Sequence, residues 1–289
     1  MKPQPFTYHA PQSRPELFAL LGALEDARCI AGGQSLMPMM NLRLAAPAHL
    51  VDLNGIADLA GIRVENDRLV IGAMTRQRAA EHSALVAETC PLLTKALDHV
   101  GFQQTRNRGT VGGSVAHMDP TAEIVTACCA LDADVVLEGP DGERRMPISA
   151  FNTGYLSTSI APGEILSRLE IPLWPAGHGS AFLEVTRRGE SFSVVSVAAL
   201  VALDAEGAIA RAALAVGGLG PAPFRLHAAD ASAGRPADDD FIAALGAEAA
   251  MLPADGDFSA SDDYKQHLAG VLTRRAMRAA LLAAGARHD

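Results

Sequence analysis

The chain is short of aromatics, cysteines, long apolar runs and basic charge, and each shortage closes off a class of protein. Aromatic residues make up 4% of the 289, so the cores must be packed with Ala, Leu, Val and Ile. No stretch reaches the about 18 consecutive apolar residues expected of a membrane-spanning helix. With 24 Lys and Arg against 33 Asp and Glu, the net charge is −9, which excludes the broad basic surface of a nucleic-acid or anionic-lipid binder. The four cysteines are Cys29, Cys90, Cys128 and Cys129. None forms a C-x-x-C, and the adjacent pair is poorly placed for a disulfide or an iron–sulfur site. They read as small buried hydrophobes in a reducing compartment. The opening "MKPQPFTYHAPQS" lacks the charged-then-apolar layout of a secretory signal, and a cytoplasmic protein is expected.

What is present alternates between strand and helix patterns. "SRPELFALLGALEDA" (13–27) has a Ser cap, an early Pro and apolar residues at Leu17, Leu20, Leu21 and Leu24, the pattern of a helix. "RCIAGG" reads as a strand, "SLMPMMNLRLA" as a helix opened by Ser35 with Pro38 in its first turn, and "HLVDLNGI" as a second strand. These make a small βαβ unit. Beyond Asn54-Gly55 come a hairpin turning at Asn66-Asp67 and one helix over "ALVAETCPLLTKALDHV". A second hairpin turns at Pro140-Asp141-Gly142, and the strand "EILSRLEIPLWP" closes the unit. A Pro/Gly stretch, 172–179, marks a boundary. Three strand candidates follow, with a hairpin at 204–207. The final helix, "DDYKQHLAGVLTRRAMRAALLAA", has an apolar stripe at Leu268, Val271, Leu272, Met277 and Leu281. Its Arg274, Arg275 and Arg278 read as a solvated face. The fold class is α+β in three pieces.

Two glycine-rich stretches could carry chemistry. Ala31-Gly32-Gly33-Gln34-Ser35 lies between a strand and a helix start, where backbone N–H groups can converge on an anion; a plain turn would use the same residues. "TRNRGTVGGSVAHMDPTAE" (105–123) interleaves Gly109 and Gly112-Gly113 with Thr110 and Ser114. Neither a G-x-x-x-x-G-K-[ST] nor a G-x-G-x-x-G after a strand is present, which leaves a dinucleotide held by two loops in a non-Rossmann way. Arg106 and Arg108 could contact phosphate or pair with surface acids. His117 is a lone loop histidine, no G-x-S-x-G elbow supports a hydrolase, and no obvious nucleophile or base stands out. That pattern suits a cofactor doing the hard chemistry.

"AGGQSLMPMMNLRLAAPAHLVDLNGI" and "TRNRGTVGGSVAHMDPTAE" closely resemble the two FAD-binding stretches of the FAD-carrying medium subunit of molybdenum hydroxylases, of carbon monoxide dehydrogenase and xanthine dehydrogenase type. "FTYHAPQS", "TGYLSTSIAPGEILSRLEIP" and "YKQHLAGVLTRRA" resemble the family's beginning, middle and last helix. The resemblance implies a two-part PCMH-type FAD-binding domain, residues 1–57 and 58–177, and a C-terminal α+β domain, 178–289, with a three-stranded antiparallel sheet. It implies pyrophosphate binding by Ala31, Gly32, Gly33, Gln34 and Ser35 together with Thr110, Val111, Gly112, Gly113 and Ser114, the missing side chains of Gly32 and Gly33 leaving room for it. Leu36 and Asp119 are implied among the cofactor-binding residues. Glu123 falls where the family places an acid on the ribose or ribityl hydroxyls, Leu166 where it contacts the flavin side, and Phe192 where a residue lies over the ring. Two departures stand out. Glu190-Ser191 replaces a common Gly-Asp, and Met118 replaces a small residue.

The function so implied is an electron-transfer subunit of an oxidoreductase, taking electrons from a two-cluster [2Fe-2S] small subunit and passing them to an external acceptor. A large subunit would carry the molybdenum cofactor, in a dimer of heterotrimers. No iron–sulfur cluster or metal is expected in this chain. The alternatives are a self-sufficient flavin oxidoreductase with its own substrate, and a flavin-free regulatory or assembly module.

Overall fold

The structure, a computed structural model, describes residues 2–285. Met1 of the first expected unit and residues 286–289 of the third lie outside the described residues. In chain order the first unit comprises β1 (Thr7–His9), α1 (Arg14–Ala23), β2 (Ala27–Ile30), α2 (Leu36–Asn41) and β3 (His49–Asp52). Ser13 caps α1 by accepting from the Glu16 N–H, and the Glu16 carboxylate accepts from the N–H of Gln12, one residue before the cap. β3 is central, with β1 and β2 parallel on either side. The βαβ reading therefore holds for β2–α2–β3, and β1 is an addition that three short, half-exposed residues did not announce.

The second unit holds β4 (Ile62–Glu65), β5 (Arg68–Gly72), α3 (Gln77–Glu81), α4 (Ala84–Thr89), α5 (Pro91–His99), α6 (Gln103–Arg108), α7 (Val111–His117) and α8 (Glu123–Ala130). It continues with β6 (Asp134–Gly139), β7 (Gly142–Pro147), α9 (Ile148–Phe151), β8 (Asn152–Gly154), β9 (Ser157–Thr158) and β10 (Ile165–Pro172). The hairpin at Asn66-Asp67 has φ of 50° and 56° at those residues, the left-handed pair that a tight two-residue turn requires. The single helix expected over 84–100 is two. Pro91 lacks an N–H and crowds the preceding turn, so α4 stops and Pro91 opens α5. β10 closes the unit from the middle of an antiparallel sheet in the order β4-β5-β10-β6-β7. Arg14 of α1 pairs with both Asp58 and Glu138 on β6, tying the first unit to this sheet.

The third unit has β11 (Gly179–Thr186), β12 (Ser193–Leu203), β13 (Ile209–Gly217) and β14 (Phe224–Arg225), then α10 (His227–Asp230), α11 (Asp239–Ala250) and α12 (Asp262–Ala283). The three expected long strands are antiparallel neighbours, and the two-residue β14 extends them to four. One face, with Phe182, Ala198, Leu200 and Ala213, joins the core of the second unit. The other, with Val197, Val201, Leu214 and Val216, packs on Phe241, Leu272 and Met277 of α11 and α12. Being covered on both sides explains why β12 reads as a nearly continuous apolar run. Arg275 and Arg278 are exposed as expected, Arg278 pairing with Asp239. Arg274 is instead half-buried against α11, where its Cγ would sit 2.5 Å from a Cβ on Gly246.

Candidate functional site

The first glycine loop leaves β2 and meets the second loop directly. A Cβ on Gly32 would lie 2.2 Å from the Arg108 carbonyl oxygen and 2.8 Å from Gly109 Cα, so at Gly32 the room is taken by the chain's own backbone. Gly33 is required for a different reason: its φ of +74° is left-handed. With that turn made, the N–H groups of Gly32, Gly33, Gln34 and Ser35 meet no acceptor of this chain among the described residues. Ser35 stands before α2 but makes no side-chain cap bond, leaving its exposed hydroxyl free to face outward. This row borders a cleft of about 540 Å³ lined by Ala31 to Gln34, Tyr8, Asp52, Asn54 and Arg108, among others.

The second loop is built differently. Val111 and Gly112 donate their N–H groups to Thr75 and Ala73, at 2.9 Å each. Gly113 donates to the Thr110 hydroxyl at 3.0 Å and Ser114 to the Thr110 carbonyl at 3.1 Å. Gly112 approaches Ala73 so closely that a Cβ would lie 2.4 Å from the Ala73 Cβ. The N–H groups of 111–114 therefore have acceptors within the chain, and the segment positions the first loop by contact. Of the two arginines left open by the sequence, Arg106 is committed to Glu81 at 2.8 and 3.2 Å. Arg108 lines the cleft, and its guanidinium has no ion pair among the described residues.

Two residues outside the expected set join the loops. Arg76 donates to the Arg108 carbonyl at 2.5 Å and to Asn54 Oδ1 at 2.6 Å, and Asn54 Nδ2 donates to the Ala31 carbonyl at 2.9 Å. This chain runs from the second loop through the end of β3 to the first loop. Nothing in the local sequence sets Arg76 apart from other surface arginines. Losing charge-assisted bonds of this kind costs about 1.5–3 kcal/mol, so Arg76→Met should weaken binding of the FAD that the resemblance implies by about tenfold or more. Equilibrium dialysis checks this, and unchanged affinity would show that the loops hold their geometry without the link.

The remaining expected residues lie away from that cleft. Asp119 accepts from the Thr121 N–H and hydroxyl at 2.8 and 2.7 Å, turning the chain into α8. Glu123 opens α8 at 8% exposure, and burial pushes its carboxyl up to about 8. Met118 takes the left-handed φ of 54° that ends α7, and its buried side chain fills the second unit's core. His117 is half-buried, and that burial lowers its pKa. Leu166 is buried in β10 beside the irregularity between Leu166 and Arg168. Phe192 is 76% exposed on the loop between β11 and β12. On that loop Glu190 has φ of 59°, so it keeps the left-handed backbone that a glycine would supply, at a cost of about 1–2 kcal/mol.

A row of N–H groups without acceptors, a neighbouring unpaired guanidinium and a buried acid fit a dinucleotide: the donors match a pyrophosphate and the acid matches sugar or ribityl hydroxyls. Fold and site thus define a two-part dinucleotide-binding flavoprotein fold with an added C-terminal domain. Comparison with known proteins specifies it. Residues 4–174 match the FAD binding domain in molybdopterin dehydrogenase, and residues 180–280 match the CO dehydrogenase flavoprotein C-terminal domain. The chain is 35% identical to the carbon monoxide dehydrogenase medium chain of Hydrogenophaga pseudoflava, over 97% of this chain and 98% of that one. It is 34% identical to the caffeine dehydrogenase subunit beta of Pseudomonas sp. strain CBB1, over 96% and 95%. A solved structure of carbon monoxide dehydrogenase from H. pseudoflava superposes with a TM-score of 0.94 at 36% identity, covering 98% of this chain and 99% of that one. The chain belongs to the FAD-binding subunits of the molybdenum hydroxylase family of oxidoreductases. No helix among the described residues is long and apolar enough to cross a membrane.

Proposed function

We propose that this chain is the electron-transfer subunit of a cytoplasmic molybdenum hydroxylase. It accepts electrons from a subunit carrying two [2Fe-2S] clusters and delivers them to an external acceptor, while a molybdenum-binding large subunit handles the substrate. The assembly is a dimer of heterotrimers. The observation that carries the reading is the unpartnered N–H row of Gly32 to Ser35 beside Arg108. The relatives named as a medium chain and a subunit of dehydrogenases support it. FAD, when bound, supplies two-electron chemistry and can exchange electrons one at a time.

The chain's own residues then bind and orient. Ala31, Gly32, Gly33, Gln34, Ser35 and Leu36 hold the pyrophosphate with Arg108, and Thr110, Val111, Gly112, Gly113 and Ser114 brace them. Asp119 sets the turn that brings Glu123 to the hydroxyls. Leu166 and Phe192 flank the ring, Phe192 from a loop exposed enough for an acceptor to approach. A tagged chain isolated from its native source should bring down two further subunits with molybdenum and iron. A lone flavoprotein that oxidises a substrate of its own would overturn the proposal.

A further inference from the structure

The seam between α8 and the third sheet holds acids that the nucleotide loops do not use. Glu184 stands directly across from Ser196 in the β11–β12 register, so the two side chains share a face. Ser196 Oγ and Thr126 Oγ1 are hydrogen-bonded at 3.1 Å, and Thr126 lies about one turn along α8 from Glu123. Gly217, paired with Ser196, leaves space for this contact, since a Cβ there would lie 2.1 Å from Thr126 Oγ1. This wall holds two buried carboxyl groups. The Glu184 side chain is 7% exposed and Glu123 is 8% exposed. Glu184 Oε1 accepts from His99 Nδ1 at 3.2 Å, and its Oε2 is buried without a partner. Glu123 has its own N–H and no other donor among the described residues.

A buried carboxylate without donors is costly, and two near each other resist ionising together. We propose that Glu184, oriented by His99, is a second acid of the FAD site. With Glu123 it forms a buried carboxyl pair in which Glu123 keeps its proton until the cofactor's hydroxyls donate to both groups. The proposal rests on the reading of Glu123 as a hydroxyl-binding residue. Loading then balances as protonated chain plus FAD giving the complex plus one released proton, which leaves by way of half-exposed His99. The titratable groups facing the pair are Asp119 on the α7–α8 loop, and His99 with Asp98 on α5. Burial first, then Glu184 and Asp119, hold the Glu123 carboxyl up near 8, while Glu184 holds His99 above its usual range. Because the unloaded fold keeps a proton that the unfolded chain has lost, its stability falls as pH rises from the ordinary carboxylate range to about 8. FAD affinity rises over the upper part of the same window.

Infrared spectroscopy of the full unloaded chain should show a protonated-carboxyl band at neutral pH that disappears on adding FAD and is absent from Glu123→Gln. Calorimetry at pH 7 in two buffers of different ionisation enthalpy should give close to one proton released per FAD. Glu184→Gln should lower the pH midpoint of the Glu123 band and weaken FAD binding about tenfold, Glu184→Asp should restore part of both, and His99→Gln should raise the midpoint. An unmoved midpoint in Glu184→Gln overturns the pair, unchanged FAD affinity in that variant overturns the second acid, and no proton release overturns the coupling. Undiminished FAD binding by Glu123→Gln removes the underlying reading of that residue, whereas the band in the unloaded chain tests the pair without cofactor.

Discussion

Gly32→Ala is expected to strip FAD from an otherwise folded chain. The new methyl would sit 2.2 Å from the Arg108 carbonyl oxygen and 2.8 Å from Gly109 Cα. These are backbone atoms held by Arg76, by the Thr105 carbonyl and by the Gln77 N–H, so no flexible side chain can swing away. The loops must separate, at about 1–3 kcal/mol for an overpacked site, and the N–H row moves with them. FAD affinity should fall by about ten- to a hundredfold, read by flavin absorbance after gel filtration, with the circular dichroism spectrum preserved. Gly22→Ala, in α1 with nothing within 4 Å of its new methyl, is the matched control and should stabilise by about 0.5–1 kcal/mol.

Gly179→Ala should have the largest effect on stability and act far from the nucleotide loops. At the start of β11 a Cβ would lie 1.8 Å from the Ala280 carbonyl oxygen and 2.5 Å from the Ala284 N. Strand and helix touch through backbone there, so α12 must lift off the sheet. The cost is about 3 kcal/mol or more, which lowers the melting temperature by about 6–12 °C. Residual FAD binding below the transition should match wild type. A melting temperature within about 1 °C of wild type would show that the two elements are not in contact as described.

The sequence made the existence and pairing of the glycine loops legible, because both lie at element ends and share a composition that few other functions need. It did not reveal that they differ in role. Gly32 and Gly112 are glycines for close backbone approach and Gly33 for a left-handed angle, yet all three look alike in a string of letters. Arg76 and Asn54 were invisible because their partners are backbone carbonyls 32 and 23 residues away, a relation with no local signature. Glu184 was hidden likewise: its burial depends on packing between α5, α8 and the third sheet. Among the elements, the long strands and α12 announced themselves by periodicity, while β1 and β14, at three and two residues, are too short to carry a pattern. At Glu190 the backbone is left-handed even though the residue there is not the common glycine.

The central claim is that this chain receives its electrons from a protein partner and has no substrate of its own. It is tested most directly by loading the chain with FAD and following the flavin spectrum in a stopped-flow mixer, first with the reduced [2Fe-2S] subunit and then with candidate organic substrates alone. The account predicts rapid bleaching by the reduced iron–sulfur subunit and none by any substrate without it. Bleaching by a substrate with no partner present, or a flavin that stays oxidised beside the reduced iron–sulfur subunit, would contradict it.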